Sequence, residues 1–240
     1  MKKVLFSLMI LGSFAFSCKK EDAEPDVLKV YELTETVSGL TYADLEKIAT
    51  IWLIGTTPDK SAANDADGKL AVASFQPDPN VTILPFNFGG KSTRTLTIPA
   101  SKPIYMPMLG YTYWFFDNDP CDPDFEPNPG QSVEAFLQPY IDELFTAEHT
   151  ISAKLNGKDM VFDVKKYHAQ SKAFDMLIPE EFQDPSCAII DKKAHVISTS
   201  YSLFFKLPKG KHTIVYTGAF PNSDPSLSFE TEVTYNLTVE

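Results

Sequence analysis

Three features of the sequence predict a mainly β chain, folded as an antiparallel sandwich with one or two short helices packed on it. From Phe229 to Glu240 the residues alternate: Phe229, Thr231, Val233, Tyr235, Leu237 and Val239 point one way, and Glu230, Glu232, Thr234, Asn236, Thr238 and Glu240 the other. This is the period-two pattern of a strand with one buried and one wet face. Asn156-Gly157 lies between Ile151, Ala153, Leu155 and Met160, Phe162, Val164, and a two-residue Asn-Gly between alternating runs is the strongest short-range hairpin signal. Phe (18), Tyr (10) and Pro (18) are plentiful, which suits strands and turns better than a helical bundle. Sheets with one wet face stack as a sandwich, of jelly-roll or immunoglobulin-like form.

The chain opens with Lys2 and Lys3, an apolar run from Val4 to Phe16, the small Ser17, and then Cys18. A run of about thirteen residues matches the apolar core of a secretory signal and falls short of the roughly 20 needed to span a bilayer. Residues 1–17 are therefore expected to be a cleaved signal peptide and Cys18 the lipid-attachment site. Residues 18–40 then form a lipidated cysteine and tether, and residues 41–240 a single sandwich domain. Within the tether, Leu28, Val30, Tyr31 and Leu33 suit a first strand.

Thr41 to Leu53 reads as a short helix. Thr41 caps it, Asp44 completes a capping box, and Leu45, Ile48, Ala49 and Trp52 share an apolar face; Gly55 is the stop. Trp52 is expected to anchor the core. From Thr56 to Pro85 only Leu70–Phe75 and Val81–Leu84 are apolar enough for strands. Asn64-Asp65-Ala66-Asp67-Gly68 resembles a calcium loop in composition, but the alignment puts Ala63 and Ser74 where the end ligands belong, so it reads as a turn.

A strand is expected over Thr93–Ile98 and a second from Ile104 to Met108. Pro103 and Pro107 have no N–H for a ladder and belong at edges, bulges or strand ends. Ser132–Phe145 carries a helical stripe of Val133, Phe136, Leu137, Tyr140, Ile141, Leu144 and Phe145. Pro139 inside it is expected to kink the helix or split it. Strands follow over Phe174–Ile178, Val196–Leu207 and His212–Tyr216, before the C-terminal strand that ties down the end of the chain.

The 240 residues carry a net charge of −11, or about −13 once residues 1–17 are removed. That balance argues against nucleic acid as a partner and against an anionic surface held by the protein body. The membrane is expected as a partner through the lipid anchor only. With Cys18 lipidated, Cys121 and Cys187 remain as an even pair in an oxidising compartment. A disulfide between them would close a loop of about 65 residues and contribute roughly 3–4 kcal/mol; two free buried thiols, or a thiol nucleophile, are the alternatives.

Two resemblances add to this reading. Cys18-Lys19-Lys20-Glu21-Asp22 resembles the export tag of surface lipoproteins in Bacteroidota-type bacteria, which implies a lipid-anchored outer-membrane protein displayed on the cell surface. The segments Thr97-Ile98-Pro99-Ala100-Ser101-Lys102-Pro103-Ile104 and Leu207-Pro208-Lys209-Gly210-Lys211-His212-Thr213-Ile214 resemble a set of uncharacterised secreted bacterial proteins with a TxPAxKPI-like strand and a late LxxGKHTI strand. Those residues imply strands and turns and carry no activity across.

The densest candidate site follows the aromatic run from Tyr111 to Phe116. Asp117, Asp119, Asp122, Asp124 and Glu126 place five carboxylates within ten residues, which suits Ca²⁺, although Pro120 and Pro123 stiffen the segment; a solvated loop fixed by the disulfide is the alternative. No other cofactor is expected. In the aromatic run, alternate residues of a strand would be buried, leaving Trp114 and Phe116, or Tyr113 and Phe115, to face a ligand. Tyr113, Trp114 and Phe116 are the candidate ligand contacts. His149, His168, His195 and His212 are scattered, and no catalytic fingerprint is present. The expectation is a surface module that binds a ligand, with carbohydrate foremost. The alternatives are an assembly subunit docking a protein partner through a sheet edge, and then a hydrolase with two carboxylates in a cleft.

Overall fold

Alternation at the C-terminus produces the strand it forecasts, and that strand organises one of two sheets. The computed structural model describes residues 27–57, 61, 64–65, 68–69, 76–146, 148–189, 192–220 and 228–240. The signal segment, Cys18 and the forecast strand over 70–75 lie outside these residues. Eleven strands and two α-helices are present among the described residues: β1 (Lys29–Val30), α1 (Tyr42–Ile54), β2 (Thr82–Ile83), β3 (Gly90–Ile98), β4 (Ile104–Phe115), α2 (Val133–Thr146), β5 (Thr150–Leu155), β6 (Lys158–Asp159), β7 (His168–Gln170), β8 (Phe174–Leu177), β9 (Lys193–Lys206), β10 (Gly210–Phe220) and β11 (Phe229–Val239). The protein is mainly β, a sandwich of two sheets with helices packed on it.

The first sheet runs β1-β9-β4-β2, with β7 and β8 also paired to β9; the second runs β3-β11-β10-β5-β6. Most pairs are antiparallel, but β3 lies parallel to β11 and β2 parallel to β4, so both sheets are mixed. The β10–β11 register, from Gly210 opposite Val239 to Phe220 opposite Phe229, buries Val233, Tyr235, Leu237 and Val239 on one face. Asn156 and Gly157 take positive φ values of 51° and 81°, the backbone a tight hairpin turn requires. The returning strand β6 is short, and Phe162, forecast to continue it, is fully exposed.

Residues 28–40 pack on the sandwich rather than lead up to it. Tyr31 is buried and donates its N–H to the Phe204 carbonyl at 2.8 Å. The Tyr42 hydroxyl donates to the Tyr31 carbonyl at 2.8 Å and accepts from the Phe204 N–H at 3.0 Å, tying this segment and α1 to β9.

Each helix covers part of the first sheet. Thr41 and Asp44 form the capping box of α1, and the Gly55 N–H closes its last turn on the Ile51 carbonyl. Its buried face, including Leu45, Ala49, Trp52 and Leu53, lies on β4, β7 and β9. On the opposite face Ile197 and Phe115 pack with Leu137 and Ile141 of α2. There Leu109 also lies over Gly218 of the second sheet, and Tyr111 against Phe220. Pro139 does not split α2, which runs through it as one helix from Val133 to Thr146. The carbonyl that the missing Pro139 N–H would have bonded belongs to Ala135, and it accepts from Gln131 Nε2 at 3.1 Å instead. The freed acceptor is satisfied, which removes part of the cost of a proline inside a helix.

Cys121 and Cys187 form a disulfide with a Cα separation of 6.0 Å. It joins the loop after β4 to the loop before β9.

Candidate ligand-binding site

Where α1 crosses the first sheet, small side chains lie beneath it. On β9, Ser198, Ser200 and Ser202 alternate with Ile197, Thr199 and Tyr201, so the three serines share the face toward α1. Their register partners on β4 are Thr112, Gly110 and Pro107. Gly110 admits no side chain, since a Cβ there would meet the Thr199 carbonyl oxygen at 2.5 Å. A helix laid on so shallow a patch does not fill the space beneath it.

The result is a cavity of about 270 Å³, bounded by Glu46, Ala49, Thr50 and Leu53 of α1 and by Gly110, Thr112, Ser198 and Ser200 of the sheet. Phe86, Phe88, Trp114, Phe182 and Phe229 complete its walls. The cavity reaches the outer edge of β4, which among the described residues has a strand partner only at Ile104 and Tyr105. Phe88, 49% exposed, stands between Phe86 and Phe182, each with ring centroids 5.6 Å away. A largely apolar cavity with a few convergent polar groups is the usual form of a small-molecule site.

The aromatic wall is held by a buried guanidinium. Arg94 on β3 is fully buried and donates Nε to the Asp65 carbonyl at 2.6 Å, one terminal nitrogen to the Pro85 carbonyl at 2.8 Å, and the other to Asn87 Oδ1 at 2.7 Å. The Tyr235 hydroxyl also donates to the Pro85 carbonyl. The Pro85 carbonyl and the Asn87 side chain, on either side of Phe86, are thus pinned to β3 and β11.

Glu46 is the polar element at the base. Its side chain is buried, with Oε1 accepting from Ser198 Oγ at 2.9 Å and Oε2 from Tyr105 at 2.6 Å and Ser200 at 2.6 Å. Burial raises its pKa, and the three hydroxyl donors offset that only in part. Tyr105 is pushed well up by burial and by the neighbouring Glu46. A titratable group perturbed by desolvation beside a cavity marks a functional candidate.

Neither Glu46 nor the serine row was singled out from the sequence. The pattern was present: Tyr42, Glu46, Ala49 and Leu53 form one helical stripe with an acid among apolar residues, and Ser198, Ser200 and Ser202 recur at strand period. What the sequence lacks is any local mark that these segments meet.

The sequence-derived candidates are only partly brought together. Trp114 is half-buried and lines the cavity; with Tyr113, Asp119, Asp122 and Phe125 it also lines a separate groove of about 350 Å³. Tyr113 packs on Tyr140 at 5.9 Å. Phe116 is not available to a ligand: it is 3% exposed, because the strand ends at Phe115 and the next side chain turns into the core. Strand alternation thus fails at that step, and Phe115 and Phe116 are both buried.

The five carboxylates disperse. Asp117 meets His195 Nε2 at 3.3 Å, Asp119 accepts from the Cys121 N–H at 2.8 Å, and Glu126 accepts from the Asn118 N–H. Asp122 and Asp124 are exposed. Among the described residues no three His, Cys, Asp or Glu side chains are grouped to hold a metal ion. His195 also meets Asp175 at 2.8 Å through Nδ1. Burial pulls its pKa down, but the hydrogen bonds to Asp175 and Asp117 outweigh that and raise it. His149 is buried, with Nε2 3.0 Å from the Tyr111 hydroxyl, inside an aromatic cluster with Phe145, Tyr201 and Phe220. Burial lowers His168 and pushes Tyr111 up to about 12.

No protein-family profile matches the chain, and no curated protein is similar to it. Among solved structures, a complex described as PbICP-C with falcipain-2 is 7% identical, over 63% of this chain and 91% of that one, with a TM-score of 0.21. The solution structure of Amebosin is 11% identical, over 62% and 96% of the two chains, with a TM-score of 0.17. At such scores the likeness carries no argument about fold or function.

Proposed function

We propose that the protein is a lipid-anchored surface module that binds a small, largely apolar ligand in the cavity beneath α1. The observation that carries the reading is the cavity itself, about 270 Å³ with aromatic walls and a buried carboxyl group at its base. A cavity of about 150 Å³ accepts benzene, so this one suits a ligand of about eleven heavy atoms. The anchor and the surface location rest on Lys2 to Cys18 and the Lys-then-acidic tag after it. Calorimetric titration with indole is the test. Saturable binding to one site is expected in the wild type, with a negative heat-capacity change from apolar burial, and loss of it in Ala49→Phe, which fills the space. Absence of binding to the wild type would sink the reading.

A second reading, a glycan held in the groove beside β4, is favoured by Trp114 and Tyr113 standing next to Asp119 and Asp122. Rings that stack on sugars beside acids that accept their hydroxyls are the chemistry of such a site. The two readings separate experimentally: Ala49→Phe leaves the groove intact, whereas Trp114→Ala alters both.

A further inference from the structure

Five side-chain hydrogen bonds organise the base of the cavity. Tyr105, Ser198 and Ser200 each bond Glu46, Tyr105 also bonds Ser202 at 2.9 Å, and Thr112 bonds Ser198 at 3.3 Å. These five bonds involve five hydroxyl groups, each with a single hydrogen to give. Every bond is satisfied if Ser202 donates to Tyr105, Thr112 donates to Ser198, and Tyr105, Ser198 and Ser200 all donate to Glu46. The carboxyl group then needs no proton of its own and can serve as an ionised acceptor at the end of the network. A carboxylate has about four acceptor sites; three are taken, and the remaining one is on Oε1. Its pKa is set by burial and those three hydroxyls, and among the described residues no neighbouring cation contributes.

We propose that the ligand of this cavity carries a protonated amine or quaternary ammonium group, placed against Glu46, with its apolar body among the aromatic rings. The inference rests on the reading of the cavity as a binding site and adds the chemical class. A buried carboxylate without a counter-cation is costly, and a ligand cation supplies the missing charge. Trp114, Phe86 and Phe182 line the same cavity, and the face of an aromatic ring attracts such a group. The net charge of −11 favours the approach of cations.

The test is a matched pair, 2-phenylethylamine and 2-phenylethanol, titrated calorimetrically into the wild-type protein and into Glu46→Gln, with competition between the two ligands to show a shared site. A charge-assisted hydrogen bond predicts that the wild type prefers the amine by about tenfold to a hundredfold. Glu46→Gln is expected to lose that preference while keeping its affinity for the alcohol. Equal affinities in the wild type would overturn the amine assignment and leave the apolar site standing. Binding of neither compound would remove both. An amine preference that survives in Glu46→Gln would also overturn the proposal, by placing the selectivity elsewhere. Should that variant fail to fold, the wild-type comparison still decides.

Discussion

Glu46 combines a structural cost with a functional opportunity. Its folded-state pKa lies above the usual glutamate value of 4.5. Between those two values the native state binds more protons than the unfolded chain, so stability falls as pH rises across that window. Glu46→Gln removes the effect. Its stability relative to the wild type, from urea unfolding, is expected to rise as the pH is taken upward from the usual glutamate value of 4.5; a flat or falling difference would contradict an acid raised by burial. His195 gives the same sign in a higher window. Its raised pKa contributes stability that is complete below the free value of 6.5 and is lost as pH rises through the folded value. The carboxylates it meets are 72% and 55% exposed, which limits that contribution to about 1 kcal/mol or less. Keeping the measurement below pH 6 therefore isolates Glu46.

At the scale of elements, α1 and α2 show what local sequence can and cannot foretell. Thr41, Asp44 and Gly55 fix the ends of α1 through contacts within a few residues, so its limits were legible. In α2 the apolar stripe was legible, but the fate of Pro139 depended on Gln131, a side chain before the helix that reaches the Ala135 carbonyl. Pro139→Ala restores the backbone hydrogen bond at an exposed position. It is expected to stabilise the protein by about 1–3 kcal/mol, from the helix propensities of the two residues, measured as a shift of the urea midpoint. An unchanged or lower midpoint would show that Pro139 is needed for the way α2 sits on Ile197 and Phe115. Pro107 tells the complementary story. A residue without an N–H belongs at an irregularity, and the β4–β9 register shifts between Pro107 and Leu109.

At the scale of the whole molecule, patterns of period two and turn chemistry revealed the β architecture, and parity revealed the Cys121–Cys187 pairing. Two things stayed hidden for one physical reason. The parallel pairing of β3 with β11 and the cavity under α1 both arise from segments far apart in the chain. Glu46 meets Ser198 and Ser200 across separations of 152 and 154 residues. Alternation says which face of a strand is buried, but not which strand lies beside it or where two covered faces fail to close. The aromatic run was visible and drew attention to Tyr113, Trp114 and Phe116, yet only the folded chain shows Phe116 turned inward and Trp114 shared between cavity and groove.

Entry of a ligand into the cavity is tested most directly by amide chemical-shift mapping of the labelled protein during titration with indole. Shifts are expected to cluster at Ala49, Leu53, Gly110, Thr112 and Ser200, on the two sides of the cavity. Shifts confined to Tyr113, Asp119 and Asp122 would move the site to the groove, and a spectrum that does not respond at all would contradict the cavity as a binding site.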